Sequence, residues 1–279
     1  MPSLTKSLLG AALTCLSTIT LAGPVSTLYV TSDFNSSSKT YVVQGNAIVS
    51  SFSNPNGRES AIAVDGDVRT MGDMAGATGS RYDLAGNLLA ASVYSTPAGI
   101  ANFYDGTTDG QYNYTIDHNN FNSGFAVYRF DRNWSNGTAL FAPTTRSSGI
   151  TYDKTSNTLW TLNTVGSGTA MQQYSMSGAL LSTVDLLPDA NLAYALAYDA
   201  ADDTFWTFNY GGSGDSHFFY QYSRTGALLS TSTISGFGGG LLLGAEFNLS
   251  AAPGRLPEPS ALALVLLAGL AGAVARRRA

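Results

Sequence analysis

The chain has 279 residues, with 14 Lys or Arg, 19 Asp or Glu and a formal net charge of −5. Sixteen of the acidic residues are Asp and three are Glu, which favours turns over helices because Asp competes for local backbone hydrogen bonds. The acidic balance argues against nucleic acid as a partner, since phosphate binding requires clustered Lys and Arg.

Residues 1–22 have the pattern of a secretory signal peptide. Lys6 precedes an apolar run that extends from Leu8 to about Leu21, and small residues suit cleavage after Ala22. The only cysteine, Cys15, lies inside this run; a lipoprotein cysteine is the alternative, but the apolar run continues beyond it. The exported chain would then have no disulfide, no thiol nucleophile and no Cys-ligated metal.

The body, residues 23–250, has a length that suits one all-β domain. Without Lys6, the three terminal arginines and Glu258, the chain keeps ten basic residues, Arg255 among them, and eighteen acidic ones, a net charge near −8. The body also repeats: YSMSGALLST at 174–183 recurs as YSRTGALLST at 222–231. Looser copies give a series of tyrosines spaced 41, 46, 46 and 48 residues apart, namely Tyr41, Tyr82, Tyr128, Tyr174 and Tyr222.

A second motif falls between these tyrosines and completes a four-stranded unit. Residues 149–153 (GITYD) and 195–199 (ALAYD) are its clear copies, and 61–65 and 99–105 are looser ones. Each is followed by a polar turn and an aromatic or branched strand. Units of 40–50 residues with four short strands predict an all-β fold of the β-propeller class.

Counting strands predicts how the ring closes. Residues 26–31 begin in mid-blade without an inner strand, and residues 240–247 supply a spare one. Pairing of the N- and C-terminal strands would complete a fifth four-stranded blade and leave no open ring edge. We therefore predict a five-bladed propeller over about residues 26–249.

Two recurring residue types in the blades have structural explanations. Trp160 and Trp206 alternate with Thr in the second strands, where packing between blades is favoured over a sugar-stacking platform. Four aspartates follow the first strands, where a side-chain bond to the turn explains them without a ligand: Asp65, Asp105, Asp153 and Asp199. Residues 105–110 and 199–203 resemble calcium loops in composition but lack the EF-hand ladder, so solvated turns are favoured, with calcium as the alternative.

Signals of catalysis are weak. His118 and His217 are about a hundred residues apart, each in a sequence that reads as a loop, and neither has metal-ligand spacing. No nucleophile elbow or phosphate-binding loop is present. Propeller lactonases hold a divalent metal in the channel with Glu, Asn and Asp, whereas the only Glu residues of this body are Glu59 and Glu246. Glu246 falls on the predicted closing strand and could face the channel; Asp105, Asp109 and Glu246 are the weak metal candidates.

Residues 99–125 form the most irregular segment, rich in Tyr, Asn, Asp and Gly. Aromatic rings beside Asn and Asp suit sugar recognition. The candidate ligand contacts are Tyr104, Tyr112, Tyr114, His118 and Phe121.

The C-terminal segment, 251–279, has three parts in order. Pro257, Glu258 and Pro259 precede an uncharged Leu/Ala/Val/Gly run over 260–275, and Arg276, Arg277 and Arg278 follow it. Sixteen helical residues span roughly 24 Å, slightly short of a bilayer core of about 30 Å, and the arginines would stay on the cytoplasmic side. A buried helix of the core is the alternative, but a core helix would show a polar face.

These three parts resemble the PEP-CTERM sorting domain of Gram-negative bacteria. The resemblance covers residues 256–279 and implies a membrane-embedded cysteine protease, exosortase, as partner, recognising Pro257, Glu258 and Pro259. It also implies an exported protein that is anchored in the inner membrane before processing and then reaches the cell surface or extracellular matrix.

Two functions for the body follow from these observations. The favoured one is a non-enzymatic binding or structural propeller, without a required cofactor, whose partner is an extracellular polysaccharide or a surface protein. The alternative is a metal-dependent propeller hydrolase or lactonase that acts in the central channel.

Overall fold

The computed structural model describes residues 23–33, 38–73, 76–95, 102–117, 125–163, 169–187, 193–209 and 215–250. The signal peptide and the sorting segment predicted at the two ends lie outside these ranges. Every regular element in the described ranges is a β-strand. None of the described residues forms a helix long and apolar enough to cross a membrane.

Twenty strands form five four-stranded antiparallel sheets, each of which is one blade. Blade 1 contains β1 (Leu28–Asp33), β2 (Lys39–Gln44), β3 (Ala47–Ser53) and β20 (Leu241–Phe247). Blade 2 contains β4 (Glu59–Val64), β5 (Val68–Gly72), β6 (Thr78–Tyr82) and β7 (Leu88–Ser95). Blade 3 contains β8 (Phe103–Thr108), β9 (Tyr112–Asp117), β10 (Val127–Asp131) and β11 (Thr138–Phe141).

The last two blades follow the same order from the centre outward. Blade 4 contains β12 (Ser147–Asp153), β13 (Thr158–Asn163), β14 (Ala170–Ser175) and β15 (Leu180–Asp185). Blade 5 contains β16 (Ala197–Asp199), β17 (Thr204–Phe208), β18 (Ser216–Ser223) and β19 (Leu228–Ser235). The inner strands are largely buried on both faces and the outer strands are mostly exposed, which is the gradient that a closed ring requires.

The ring closes as the sequence predicts. β20 is the innermost strand of blade 1 and pairs antiparallel with β1, from Leu28 opposite Phe247 to Asp33 opposite Leu241. The five-bladed propeller, its four-stranded blades and its closure by the two terminal strands are therefore confirmed.

Apolar side chains form one cluster at each of the five interfaces between neighbouring blades, within the described residues. Trp206 packs at the interface of blades 5 and 1, and Trp160 packs between blades 4 and 5, with its ring 4.8 Å from that of Phe205. Both tryptophans are buried, so their predicted packing role is confirmed. Each interface therefore has its own small apolar core.

The inner strands approach one another closely at the centre. A Cβ atom on Gly244 of β20 would lie 2.3 Å from the carbonyl oxygen of Ser60 in blade 2. Only glycine allows this contact, so blades 1 and 2 meet backbone to backbone at the channel wall.

Candidate functional site

One carboxylate from β8 lies among the inner strands of the ring. Asp105 is fully buried, and its oxygens accept hydrogen bonds from the backbone N–H groups of three other blades. Oδ2 accepts from Ile150 and Leu196, and Oδ1 accepts from Ala245, each over 2.9 Å. Asp105 therefore joins blade 3 to blades 4, 5 and 1 at the axis of the ring.

Burial raises the pKa of Asp105 well above its ordinary value, while the backbone N–H groups of Leu196, Ala245, Ile150 and Gly106 oppose that rise. An ionised carboxylate is acceptor-only, and the partners around Asp105 are donors. This arrangement favours the negative charge on Asp105 rather than on a neighbouring acid.

The neighbouring acid is Glu246 of β20, which is 3% exposed. Burial, followed by the charge of Asp105, raises the pKa of Glu246 well above its ordinary value, and hydrogen bonds from Thr107 and Thr151 partly offset the rise. Thr151 Oγ1 lies 3.4 Å from Glu246 Oε2, a long contact. Like charges in one buried site ionise in separate steps, and the charge of Asp105 therefore disfavours ionisation of Glu246.

Two threonines that the sequence analysis missed connect the inner strands. Thr107 Oγ1 accepts a 2.9 Å hydrogen bond from the Tyr152 N–H, and Thr151 Oγ1 accepts a 3.0 Å bond from the Tyr198 N–H. Each bond passes from one blade to the next. Thr107 and Thr151 occur at matching positions of successive inner strands, and that spacing was the available signal.

Glu246 lines a small cavity with a volume of about 20 Å³. Its walls include Tyr152, Lys154 and Tyr198. A cavity needs about 10–15 Å³ to hold one water molecule, so this space accommodates water and no larger substrate. Two neighbouring carboxyl groups could act as a general acid and a general base, but the cavity beside Asp105 and Glu246 has room for water alone.

The three weak metal candidates do not converge. Asp105 and Glu246 share the channel, whereas Asp109 lies in the β8–β9 turn, where Oδ1 accepts from the Gln111 and Tyr112 N–H groups. Among the described residues, no group of three or more His, Cys, Asp or Glu is placed to hold a metal ion. Glu59 lies apart from the channel and accepts hydrogen bonds from side chains of its own blade.

Asp105 does not lie in the turn that the sequence predicted. Asp105 lies in the middle of β8, so residues 105–108 are strand and not a calcium-type loop. Asp109 occupies the turn position that Asp65 and Asp153 occupy in blades 2 and 4. The error arose because Tyr104 and Asp105 repeat the Tyr-Asp pair that ends β12, four residues too early.

The predicted ligand segment is more regular than expected, because 99–125 contains β8 and β9. Tyr114 is buried and donates a 2.7 Å hydrogen bond to Asp109 Oδ2, while the Tyr112 ring lies 4.6 Å beneath the Arg129 guanidinium. Tyr104, near the other end of β8, contacts Tyr194. The structure thus brings Tyr112 and Tyr114 near Asp109 and places Tyr104 elsewhere; His118 and Phe121 lie outside the described residues.

His217 was predicted to lie in a loop, and this prediction is wrong. It lies in β18, fully buried, with Nδ1 3.0 Å from the Asn209 carbonyl oxygen and Nε2 3.2 Å from that of Gly240. The aromatic residues of β18 were a strand signal in the sequence, but the Ser and Gly residues before His217 suggested a loop.

No family model matches the sequence, and no curated protein matches it. A chain of a nidogen/laminin complex has a similar structure, with a TM-score of 0.53 and 11% identity over 81% of this chain and 100% of that one. A gluconolactonase from Xanthomonas campestris (TM-score 0.48, 14% identity, 77% and 73% covered) and a glutaminyl cyclase from Myxococcus xanthus (0.44, 13%, 69% and 72%) are more distant in structure. At these identities the likeness concerns the fold alone: the chain is a five-bladed propeller, and its function has to be argued from its own residues.

Proposed function

We propose that this chain is an exported bacterial protein sorted through a PEP-CTERM signal, which presents its propeller at the cell surface or in the extracellular matrix. The propeller acts by binding an extracellular polysaccharide or a surface protein, and it is not an enzyme. An exosortase-type membrane protease is its processing partner.

Support for export and sorting comes from the two terminal segments of the sequence. Residues 1–22 have the signal-peptide pattern, and Pro257, Glu258 and Pro259 precede an apolar run and three arginines. A cysteine-free, acidic body rich in short polar turns is consistent with an extracellular location.

Support for binding rather than catalysis comes from the channel. Asp105 is saturated by backbone N–H groups from three blades, and the cavity beside Glu246 has room for one water molecule. Catalytic carboxylates require a reacting atom within hydrogen-bond reach. The channel acids of this ring instead hold its blades together.

The sorting proposal is tested in a bacterium that has an exosortase. The full chain and a variant with alanine at Pro257, Glu258 and Pro259 are expressed, and surface-associated material is analysed by mass spectrometry. We expect mature wild-type protein to lack residues 276–278 and the variant to remain in the inner membrane with that end intact. An intact arginine end in all mature wild-type protein would contradict the processing step.

A metal-dependent hydrolase is the second candidate, favoured by the pairing of Asp105 and Glu246 in one channel. Metal analysis of the purified chain separates the two functions, with Glu246→Gln as the control. Stoichiometric divalent metal that is lost in the variant supports the hydrolase. Glycan binding that survives chelation supports the binding protein.

A further inference from the structure

Blade 2 departs from the repeat at one buried position. The register of the second strand against the inner strand aligns Arg69 with Tyr114 in blade 3, Trp160 in blade 4 and Trp206 in blade 5. Three blades have a large aromatic residue there, and blade 2 has a guanidinium that is 2% exposed. Breaks in an otherwise consistent pattern are where functional sites are expected.

The neighbouring residues accommodate the buried charge of Arg69. Its Nη2 lies 2.5 Å from Asp67 Oδ1, and its Nη1 makes long bonds of 3.3 Å to the Arg132 carbonyl and 3.4 Å to Asn113. Burying a charge is costly unless it is paired, so Asp67 and Arg69 belong together.

Trp134, from the β10–β11 turn of blade 3, is part of the same departure. It is buried at the blade 2–3 interface and donates from Nε1 to the Arg69 carbonyl over 3.4 Å. Its φ of 55° is a strained conformation for a bulky residue. Strained residues of this kind concentrate at ligand sites, which is a second sign that this interface differs from the other four.

A pocket of about 220 Å³ opens at this interface. Its lining combines three arginines, one carboxylate, one aromatic ring and one amide: Arg69, Arg81, Arg132, Asp67, Tyr94 and Asn133. Pockets for drug-sized ligands occupy about 300–1,000 Å³, so this one suits a group of the size of a single sugar ring.

The side chains at the pocket carry more positive than negative charge. Arg81 donates from Nε to Asp67 Oδ2 over 2.5 Å, but its side chain is 50% exposed, and the described residues engage neither of its terminal nitrogens. Arg132 is 44% exposed and pairs with Asp65. Three guanidinium groups face two carboxylates, which leaves a net charge of +1 in a body that is otherwise strongly acidic.

We propose that this pocket binds an acidic sugar, a pyranose ring with one carboxylate or sulfate group. The terminal nitrogens of Arg81, which no described residue engages, recognise the anionic group, because a guanidinium matches the two oxygens of an oxyanion. Asp67 lines the pocket and pairs with both Arg69 and Arg81, which fixes the two guanidinium groups at its wall. Tyr94 supplies an aromatic wall and Asn133 a further polar contact.

This inference rests on the proposed binding function, and it names the ligand class. Its test uses purified protein and does not depend on sorting. Failure of sugar binding with normal surface delivery would therefore reject the pocket alone, and failure of delivery with intact sugar binding would reject the sorting route alone.

The experiment is a ligand-detected NMR titration of the purified full-length chain at low ionic strength with galacturonate, galactose 6-sulfate, galactose and acetate. We expect at least one of the two acidic sugars to bind, the tighter one identifying the preferred acid group, and galactose and acetate to bind at least about tenfold more weakly. Arg81→Gln should weaken acidic-sugar binding by about tenfold or more, the effect of one charge-assisted hydrogen bond.

The matched control is Arg129→Gln, which removes the same charge from blade 3 outside the pocket, where the guanidinium stacks on Tyr112. It should bind acidic sugar like the wild type. Equal binding of acetate and galacturonate would reject sugar recognition. No acidic-sugar binding, or unchanged affinity in Arg81→Gln, would overturn the proposal, and a circular dichroism spectrum of the variant confirms that it is folded.

Discussion

Replacing Asp105 by alanine should destabilise the whole ring. The change leaves three buried backbone N–H groups, in three different blades, without their acceptor. Each unsatisfied buried donor costs about 1–3 kcal/mol, which gives a gross loss of about 3–9 kcal/mol. Removal of a buried carboxylate offsets part of this loss, so we expect a net loss of about 3–5 kcal/mol, as for other broken buried charge networks.

The assay is urea unfolding of Asp105→Ala beside Asp109→Ala. The two aspartates lie in the same short segment, but Asp109 accepts only from its own blade, from two N–H groups of its turn and from the Tyr114 hydroxyl, and these bonds are exposed or part-buried, so its loss should cost only about 1–2 kcal/mol. The midpoint of unfolding should therefore fall much further for Asp105→Ala. Equal midpoints, or wild-type stability of Asp105→Ala, would show that the burial cost of the carboxylate cancels its three bonds and would refute the argument.

Three further changes test the channel, the core and the blade contacts. The pKa of Glu246 is raised in the fold, so its stabilising contribution is complete below its ordinary pKa of 4.5 and is lost as pH rises through the folded value. Glu246→Gln should therefore raise the free energy of unfolding by about 1 kcal/mol at pH 8 and flatten its dependence on pH. An unchanged slope of the free energy of unfolding against pH would contradict this. Trp206→Ala should cost about 3–5 kcal/mol in thermal unfolding because it empties a blade interface, whereas a sugar-stacking role would instead change ligand affinity with little loss of stability. Arg224→Gln leaves the buried Asp153 carboxylate without its ion pair. Burial alone would raise the pKa of Asp153, but hydrogen bonds from Arg224 and Ser156 lower it. The variant should therefore lose about 2 kcal/mol of stability at pH 7, and this loss should shrink as pH falls toward the folded pKa of Asp153.

The architecture was predictable because it repeats. Copies such as residues 174–183 and 222–231 mark the same turn in successive blades, and a period of 40–50 residues with four strands per copy leaves few alternatives to a propeller. Closure followed from counting, since blade 1 lacked an inner strand at one end of the body and residues 240–247 offered one at the other.

The candidate sites were less predictable because they depend on register. Tyr104 and Asp105 match the Tyr-Asp pair that ends other inner strands, yet a shift of four residues moves Asp105 from a turn to the channel axis. His217 follows a stretch of Gly and Ser in the sequence, but its position opposite Ile234 in the blade buries it. Propensity cannot report such placements, because a strand residue's exposure depends on which face and which neighbour it meets.

Departures from a repeat identify special positions, and the surroundings decide what each position does. Asp105 is a departure whose acceptors are fully used by backbone donors, so it stabilises the ring. Arg69 is a departure that lines a pocket, and no described residue engages the terminal nitrogens of its neighbour Arg81 there. The two sites should therefore respond differently to substitution. Asp105→Ala should lower the free energy of unfolding of the ligand-free protein, whereas Arg81→Gln at the pocket should leave it within about 1 kcal/mol, since exposed ion pairs contribute little. A variant of Arg81 that lost stability as severely as Asp105→Ala would show that the arginine cluster, too, exists to hold blades 2 and 3 together.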